Sequence, residues 1–131
     1  MFRSTNTQDT INYGVELEKQ LKPGSVVCLY GDLGAGKTQL VKGIAQGLDI
    51  KEEITSPTFN ICLQYDGLNH FDLYRLEAEE DLEDIGFFEM IESDAISVIE
   101  WADKFPGAIP EDAVKITMKV LEDNTRVIIE E

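Results

Sequence analysis

Hydrophobic positions recur at two different spacings along this 131-residue chain, and together they divide it into helices and strands. Between Thr5 and Lys22, the residues Ile11, Gly14, Leu17 and Leu21 share one face at helical spacing. This predicts a first helix, with Thr7 or Asp9 capping its start and Pro23-Gly24 ending it. Ser25 to Tyr30 is a short, mostly apolar run rich in β-branched residues, as a buried strand needs. Leu40, Val41, Ile44, Ala45 and Leu48 then mark an amphipathic helix running to about Leu48. Phe59, Ile61, Leu63 and Tyr65 alternate with Asn60, Cys62 and Gln64, the signature of a strand. Asp66-Gly67 is a favoured two-residue hairpin turn, and Leu68 to Tyr74 is the return strand. Such a turn sets Leu63 opposite His70, Ile61 opposite Asp72 and Phe59 opposite Tyr74.

Downstream, Glu77 to Asp84 reads as a solvated helix face, with Ala78, Leu82 and Ile85 turned inward. Phe87, Phe88, Met90 and Ile91 form a second short helical segment after Gly86. Its aromatics read as core, although an acidic surface beside exposed aromatics would also suit docking. Ile96 to Glu100 is another apolar strand. Val114 to Val120 and Arg126 to Glu130 form a hairpin around Glu122-Asp123-Asn124, expected to pair antiparallel at a sheet edge. The sum is an α/β fold in one domain, residues 1–131: a mostly parallel central sheet with antiparallel hairpins and helices on both faces.

The candidate chemistry lies between the first strand and the second helix. Gly31-Asp32-Leu33-Gly34-Ala35-Gly36-Lys37-Thr38 fits the phosphate-loop pattern G-x-x-x-x-G-K-[ST]. Strand, glycine-rich loop and helix is the context in which that pattern becomes a site. Glycines let the loop curl and aim backbone N–H groups at a phosphate. The helix start adds unpaired N–H groups and a positive dipole end. Lys37 supplies an ammonium for the outer phosphates, and Thr38 offers a hydroxyl to Mg²⁺.

Three further stations join it. Thr55-Ser56-Pro57-Thr58 is dense in hydroxyls and held extended by its proline, as a switch loop or as a plain polar loop. Asp72 is expected on the apolar face of a strand, where a carboxylate costs several kcal/mol unless it meets a cation, metal or donors. His70 shares that face and reads as a satisfied core histidine rather than a metal ligand. Glu100 ends an apolar strand, as the acid of a Walker-B-type strand does, at the edge where open α/β sheets bind ligands. It could hold Mg²⁺ or polarise an attacking water.

Charge narrows the partners. With 26 acidic and 11 basic residues the net charge is −15, which argues against a broad basic face for nucleic acid and favours docking on a basic partner. Cys28 and Cys62 form no C-x-x-C and read as buried free thiols of a reducing compartment. No run approaches a membrane helix, and Met1 to Asp9 is polar without a signal-peptide apolar region, so a cytoplasmic protein is expected.

In series, the phosphate loop, Thr55-Ser56-Pro57-Thr58-Phe59, His70-Phe71-Asp72-Leu73-Tyr74-Arg75 and Ile99-Glu100-Trp101-Ala102 resemble the bacterial TsaE family. These are P-loop ATPases required for threonylcarbamoyladenosine modification of tRNA. The resemblance covers nearly the whole chain. It implies a P-loop NTPase fold and ATP hydrolysis that resets a TsaD-type transferase and its TsaB-type companion, with tRNA met only through that complex. It also implies that Thr38 and Glu100 hold Mg²⁺ and that Asp72 acts near the γ-phosphate or the attacking water. Thr55 to Thr58 would be the switch, Trp101 would support the site, and Arg126 would stand near the adenine. A small-molecule or nucleotide kinase competes, but the chain has only Arg3, Arg75 and Arg126 to clamp a moving phosphoryl group. A GTPase is disfavoured by the lack of N-K-x-D. An assembly factor that binds ATP without hydrolysing it is a third reading.

Overall fold

The computed structural model describes residues 1–31 and 35–131. Within them, one seven-stranded sheet runs in the order β1-β7-β6-β2-β5-β4-β3. The strands are β1 (Phe2–Ser4), β2 (Val26–Gly31), β3 (Cys62–Tyr65), β4 (Leu68–Asp72), β5 (Ile96–Glu100), β6 (Val114–Val120) and β7 (Arg126–Glu130). β6, β2, β5 and β4 are mutually parallel, while β1, β7 and β3 pair antiparallel with their neighbours. The helices are α1 (Thr7–Glu18), α2 (Lys37–Gly47), α3 (Glu79–Asp84) and α4 (Phe87–Ile91).

Alternation along the central strands builds two cores. Val27 and Leu29 of β2, with Leu68, Val98 and Ile116, face α1 and α2 and pack on Leu17, Leu40 and Ile44. Val26 and Cys28, with Phe71 and Ile99, face the other way and meet Leu82 and Phe87 of the α3–α4 segment. Helices therefore cover both faces, as expected.

Three expectations need correction, and one strand has no announcement in the sequence. The first helix is shorter than Thr5 to Lys22, and its cap is Asn6, whose carboxamide oxygen accepts from the Asp9 N–H at 2.8 Å. Asp9 instead reaches back to Thr5. The polar N-terminus contributes β1, too short to show a period, which pairs with β7 and is tied to α1 by the Ser4–Thr10 hydroxyl contact. The C-terminal hairpin is not the sheet edge: β6 joins β2 in parallel and β1 covers β7. Finally, Phe59 to Ile61 is not strand. The Pro57 carbonyl accepts from the N–H groups of Asn60 and Ile61, forming a turn that leaves Phe59 83% exposed and Ile61 at φ 65°. The hairpin register is as read from Tyr65–Leu68 through Leu63–His70. The ladder continues to Cys62–Phe71, and past it the Asp72 N–H reaches the Ile61 carbonyl at 2.7 Å.

α1 and α2 approach closely enough that Gly14 and Gly43 touch backbone to backbone. A methyl group on Gly43 would collide with the Ile11 carbonyl oxygen, and one on Gly14 with that of Leu40. Gly43→Ala is therefore expected to lower stability by about 1–3 kcal/mol, because the helices must separate. Urea unfolding checks this; an unchanged midpoint would refute the close packing.

Candidate functional site

The site forms where three parallel strands end. β2 delivers Gly31, β5 delivers Glu100 and β4 delivers Asp72, all on the α2 side of the sheet. A crevice outside the carboxyl ends of parallel strands is the usual ligand position in such sheets. Here a cleft of about 370 Å³ is lined by Lys37 and Thr38 of α2, Ser56 and Thr58, Asp72, and Glu100. Trp101 and Arg126 close its sides. Residues far apart in sequence thus meet in one space.

The start of α2 follows from its residues. Gly36 caps the helix at φ 96°, a conformation natural to glycine. Lys37 and Thr38 then occupy the first turn, where backbone N–H groups lack helical partners. Gly31, Ala35 and Gly36 are the described part of the loop; the expected contributions of Asp32, Leu33 and Gly34 lie outside the described residues.

The charged groups are held tightly. Lys37 is 8% exposed; its Nζ donates to the Gly31 carbonyl at 2.8 Å and stands 3.6 Å from Glu100 Oε1. The other carboxylate oxygen of Glu100 lies 2.7 Å from His70 Nε2. Asp72 is the register neighbour of Glu100 across the β4–β5 ladder. Its Oδ1 accepts from the Tyr74 N–H at 3.0 Å and its Oδ2 from the Thr58 hydroxyl at 3.3 Å. Thr58 in turn contacts the Ser56 hydroxyl at 2.7 Å. The hydroxyl-rich segment therefore touches the site through Ser56 and Thr58. Thr55 is exposed and Pro57 is buried beneath the turn, and neither lines the cleft.

Trp101 leaves β5 at φ 63° and its ring lies 4.8 Å from that of Tyr74, at the cleft mouth. Arg126 donates from Nη1 to the Asn124 carbonyl at 2.7 Å and also borders a recess of about 100 Å³ with Asn6, Thr7 and Thr10. A larger cleft of about 570 Å³ lies on the opposite side, between Tyr30, Lys115 and the Pro106–Pro110 loop. It contains none of Lys37, Thr38, Asp72 and Glu100. There, burial first and the neighbouring Cys28 second push the Tyr30 phenol up to about 12, so it stays protonated.

The donor set suits a hard divalent cation beside phosphates. Thr38, Asp72 and Glu100 offer only oxygen, and Mg²⁺ is commonly held by one or two carboxylates together with substrate phosphates. Among the described residues, no three His, Cys, Asp or Glu side chains gather as a self-sufficient metal cluster. The residues present therefore fit Mg²⁺ accompanying a nucleotide.

Sequence reasoning placed the four central residues but missed the contact between His70 and Glu100. Its signal was available: His70 and Asp72 are two apart on one strand, and Asp72 pairs with Glu100 once the strands are parallel. The lining by Thr7 and Gln39 carried no sequence signal.

Residues 4–128 match the family described as threonylcarbamoyl adenosine biosynthesis protein TsaE. The chain is 46% identical over 128 residues to the tRNA threonylcarbamoyladenosine biosynthesis protein TsaE of Treponema pallidum, covering 95% of each chain. It is 38% identical to the protein of that name from Bacillus subtilis, covering 97% of this chain and 82% of the other. The crystal structure of Bacillus subtilis YdiB superposes with a TM-score of 0.81 at 31% identity, covering 97% of this chain and 80% of that one. The fold is that of a P-loop NTPase, and the chain belongs to the TsaE family, which acts in the biosynthesis of threonylcarbamoyladenosine in tRNA.

Proposed function

We propose that this chain binds ATP with Mg²⁺ and hydrolyses it, cycling a TsaD-type transferase and its TsaB-type companion rather than transferring the threonylcarbamoyl group itself. The observation that carries this reading is the convergence of Lys37, Thr38, Asp72 and Glu100 on one cleft at the strand ends. In this reading the first turn of α2 and Lys37 bind the phosphates. Thr38 and Glu100 hold the metal, and Asp72 acts beside the γ-phosphate or the attacking water. Mg²⁺, when bound, neutralises charge on the phosphates.

The Pro57 turn suits a switch. It carries Thr58, bonded to Asp72, and ends in Ile61 at φ 65°, a strained conformation for a β-branched residue and one that clusters at functional sites. Trp101, at the mouth, supports the site. Arg126 and the recess beside Asn6 and Thr7 suit the nucleoside end. The excess of acid supports a role in which tRNA is met through the partners. No described helix is long and apolar enough to cross a membrane. The free Cys28 and Cys62 support a cytoplasmic setting.

Hydrolysis is expected to be slow alone and faster with the partner pair, since an arginine finger is commonly supplied in trans. Phosphate release with and without the partners tests this. Full-rate turnover alone, or phosphate delivered to a small acceptor, would sink the proposal. Lys37→Ala should abolish turnover or nucleotide binding. Glu100→Gln should lower turnover by about 100-fold or more while ATP affinity changes far less. Unchanged turnover would move the principal role to Asp72.

Asp72→Asn separates function from stability. It relieves the repulsion between neighbouring carboxylates while an amide oxygen can still accept from Tyr74 or Thr58. The variant should be inactive yet about 0.2–1 kcal/mol more stable. A lower melting temperature would show that the carboxylate is net stabilising where it stands.

A further inference from the structure

His70 is the chain's single histidine, and it is fully buried. It lies on the face of β4 that packs toward α2, beside Leu68 and Val98. An apolar side chain could fill such a position without the cost of burying a polar ring. Among the described residues the imidazole has one partner: Glu100 Oε2, at 2.7 Å. Its other nitrogen, Nδ1, is buried without a hydrogen-bond partner among the described residues.

That geometry places a hydrogen on Nε2. An ionised carboxylate only accepts, so the hydrogen belongs on Nε2. In the neutral ring Nδ1 is then an acceptor, and no ring N–H lacks a partner among the described residues. The opposite tautomer would leave a buried donor unmade and two acceptors facing each other at 2.7 Å.

We infer that His70 is a positioning residue for Glu100. Its Nε2–H holds Oε2 and leaves Oε1 as the single oxygen presented to Lys37 and the cleft. Glu100 needs such a hold because its side chain is long and its register neighbour is Asp72. Lys37 alone, at 3.6 Å, sits beyond close hydrogen-bond distance. With both oxygens assigned, Glu100 offers one oxygen in one place, which metal-ligating or water-orienting carboxylates require of their surroundings. This inference rests on the role proposed for Glu100, and it adds a residue that acts only through that carboxylate.

The test reads the imidazole and the turnover separately. Because there is one histidine, its long-range ¹H–¹⁵N correlations need no assignment. They should show a hydrogen on Nε2, with a deshielded Nε2 proton that shifts or vanishes in Glu100→Ala. In turnover, His70→Phe should lower kcat about 10–100-fold with KM nearly unchanged. His70→Asn, which retains a donor, should recover part of that loss. In a Glu100→Gln background, His70→Phe should add little, because the two act as a unit. Urea unfolding of each variant confirms that it is folded; if His70→Phe does not fold, the imidazole spectrum of the wild-type and Glu100→Ala proteins still decides. A Nδ1–H tautomer, or a spectrum indifferent to Glu100→Ala, overturns the inference. So does undiminished kcat in His70→Phe when Glu100→Gln is impaired. Normal turnover in Glu100→Gln would instead overturn the role of Glu100 itself.

Discussion

A carboxylate at the buried end of a sheet must find partners, and Glu100 is held from two directions. It is 6% exposed, with Lys37 on one oxygen and His70 on the other. Removing one partner of a buried pair leaves an uncompensated charge, which is among the costlier changes a fold can suffer. The arrangement therefore constrains three elements at once. α2 must begin where Lys37 can reach Gly31 and Glu100. β5 must end at Glu100, and β4 must run parallel beside it so that His70 lies under the carboxylate. The register between β4 and β5, with His70 opposite Val98 and Asp72 opposite Glu100, meets that demand.

Topology then turns pairwise contacts into a cleft. β2 lies between β6 and β5, so Gly31 at its end stands amid the ends of the parallel strands. β4 is reached through the β3 hairpin, and that hairpin carries the Pro57 turn over the strand ends. Thr58 consequently lands on Asp72, though they are 14 residues apart in the chain. On the other flank β7 returns antiparallel along β6, and its first residue, Arg126, stands beside Thr7 of α1 at the cleft.

What could be read in advance follows from which interactions are local. The central strands and α2 announce themselves by period, and the loop by its glycines and Lys37-Thr38. The Asp66-Gly67 turn fixed the neighbouring register, so Leu63 faces His70 as expected. A local preference outweighs a period at one place, and a remote pairing leaves no local trace at another. Phe59 and Ile61 alternate as a strand would, but the Pro57 carbonyl captures the next N–H groups and folds the chain into a turn. The remote pairing is that of β1, which exists because β7 offers it an edge, and three polar-flanked residues show no sign of that. His70 is a buried, hydrogen-bonded core histidine as expected, but its partner lies 30 positions away, on a strand whose neighbour only the fold decides.

The cost of this site is concentrated in a few residues. Asp72 and Glu100 sit as register neighbours with like charge, and Ile61 and Trp101 take left-handed backbone conformations that their side chains disfavour. The like-charge contact and the two left-handed residues each cost stability where they stand. They persist because the elements beneath them are over-determined: α1 and α2 lock through Gly14 and Gly43, and the sheet is packed on both faces by separate apolar cores. Strain at the strand ends and rigidity below them are thus two halves of one arrangement. Loosening the helix contact would first release the positions of Lys37 and Thr38, because both belong to the same α2 that Gly43 holds against α1.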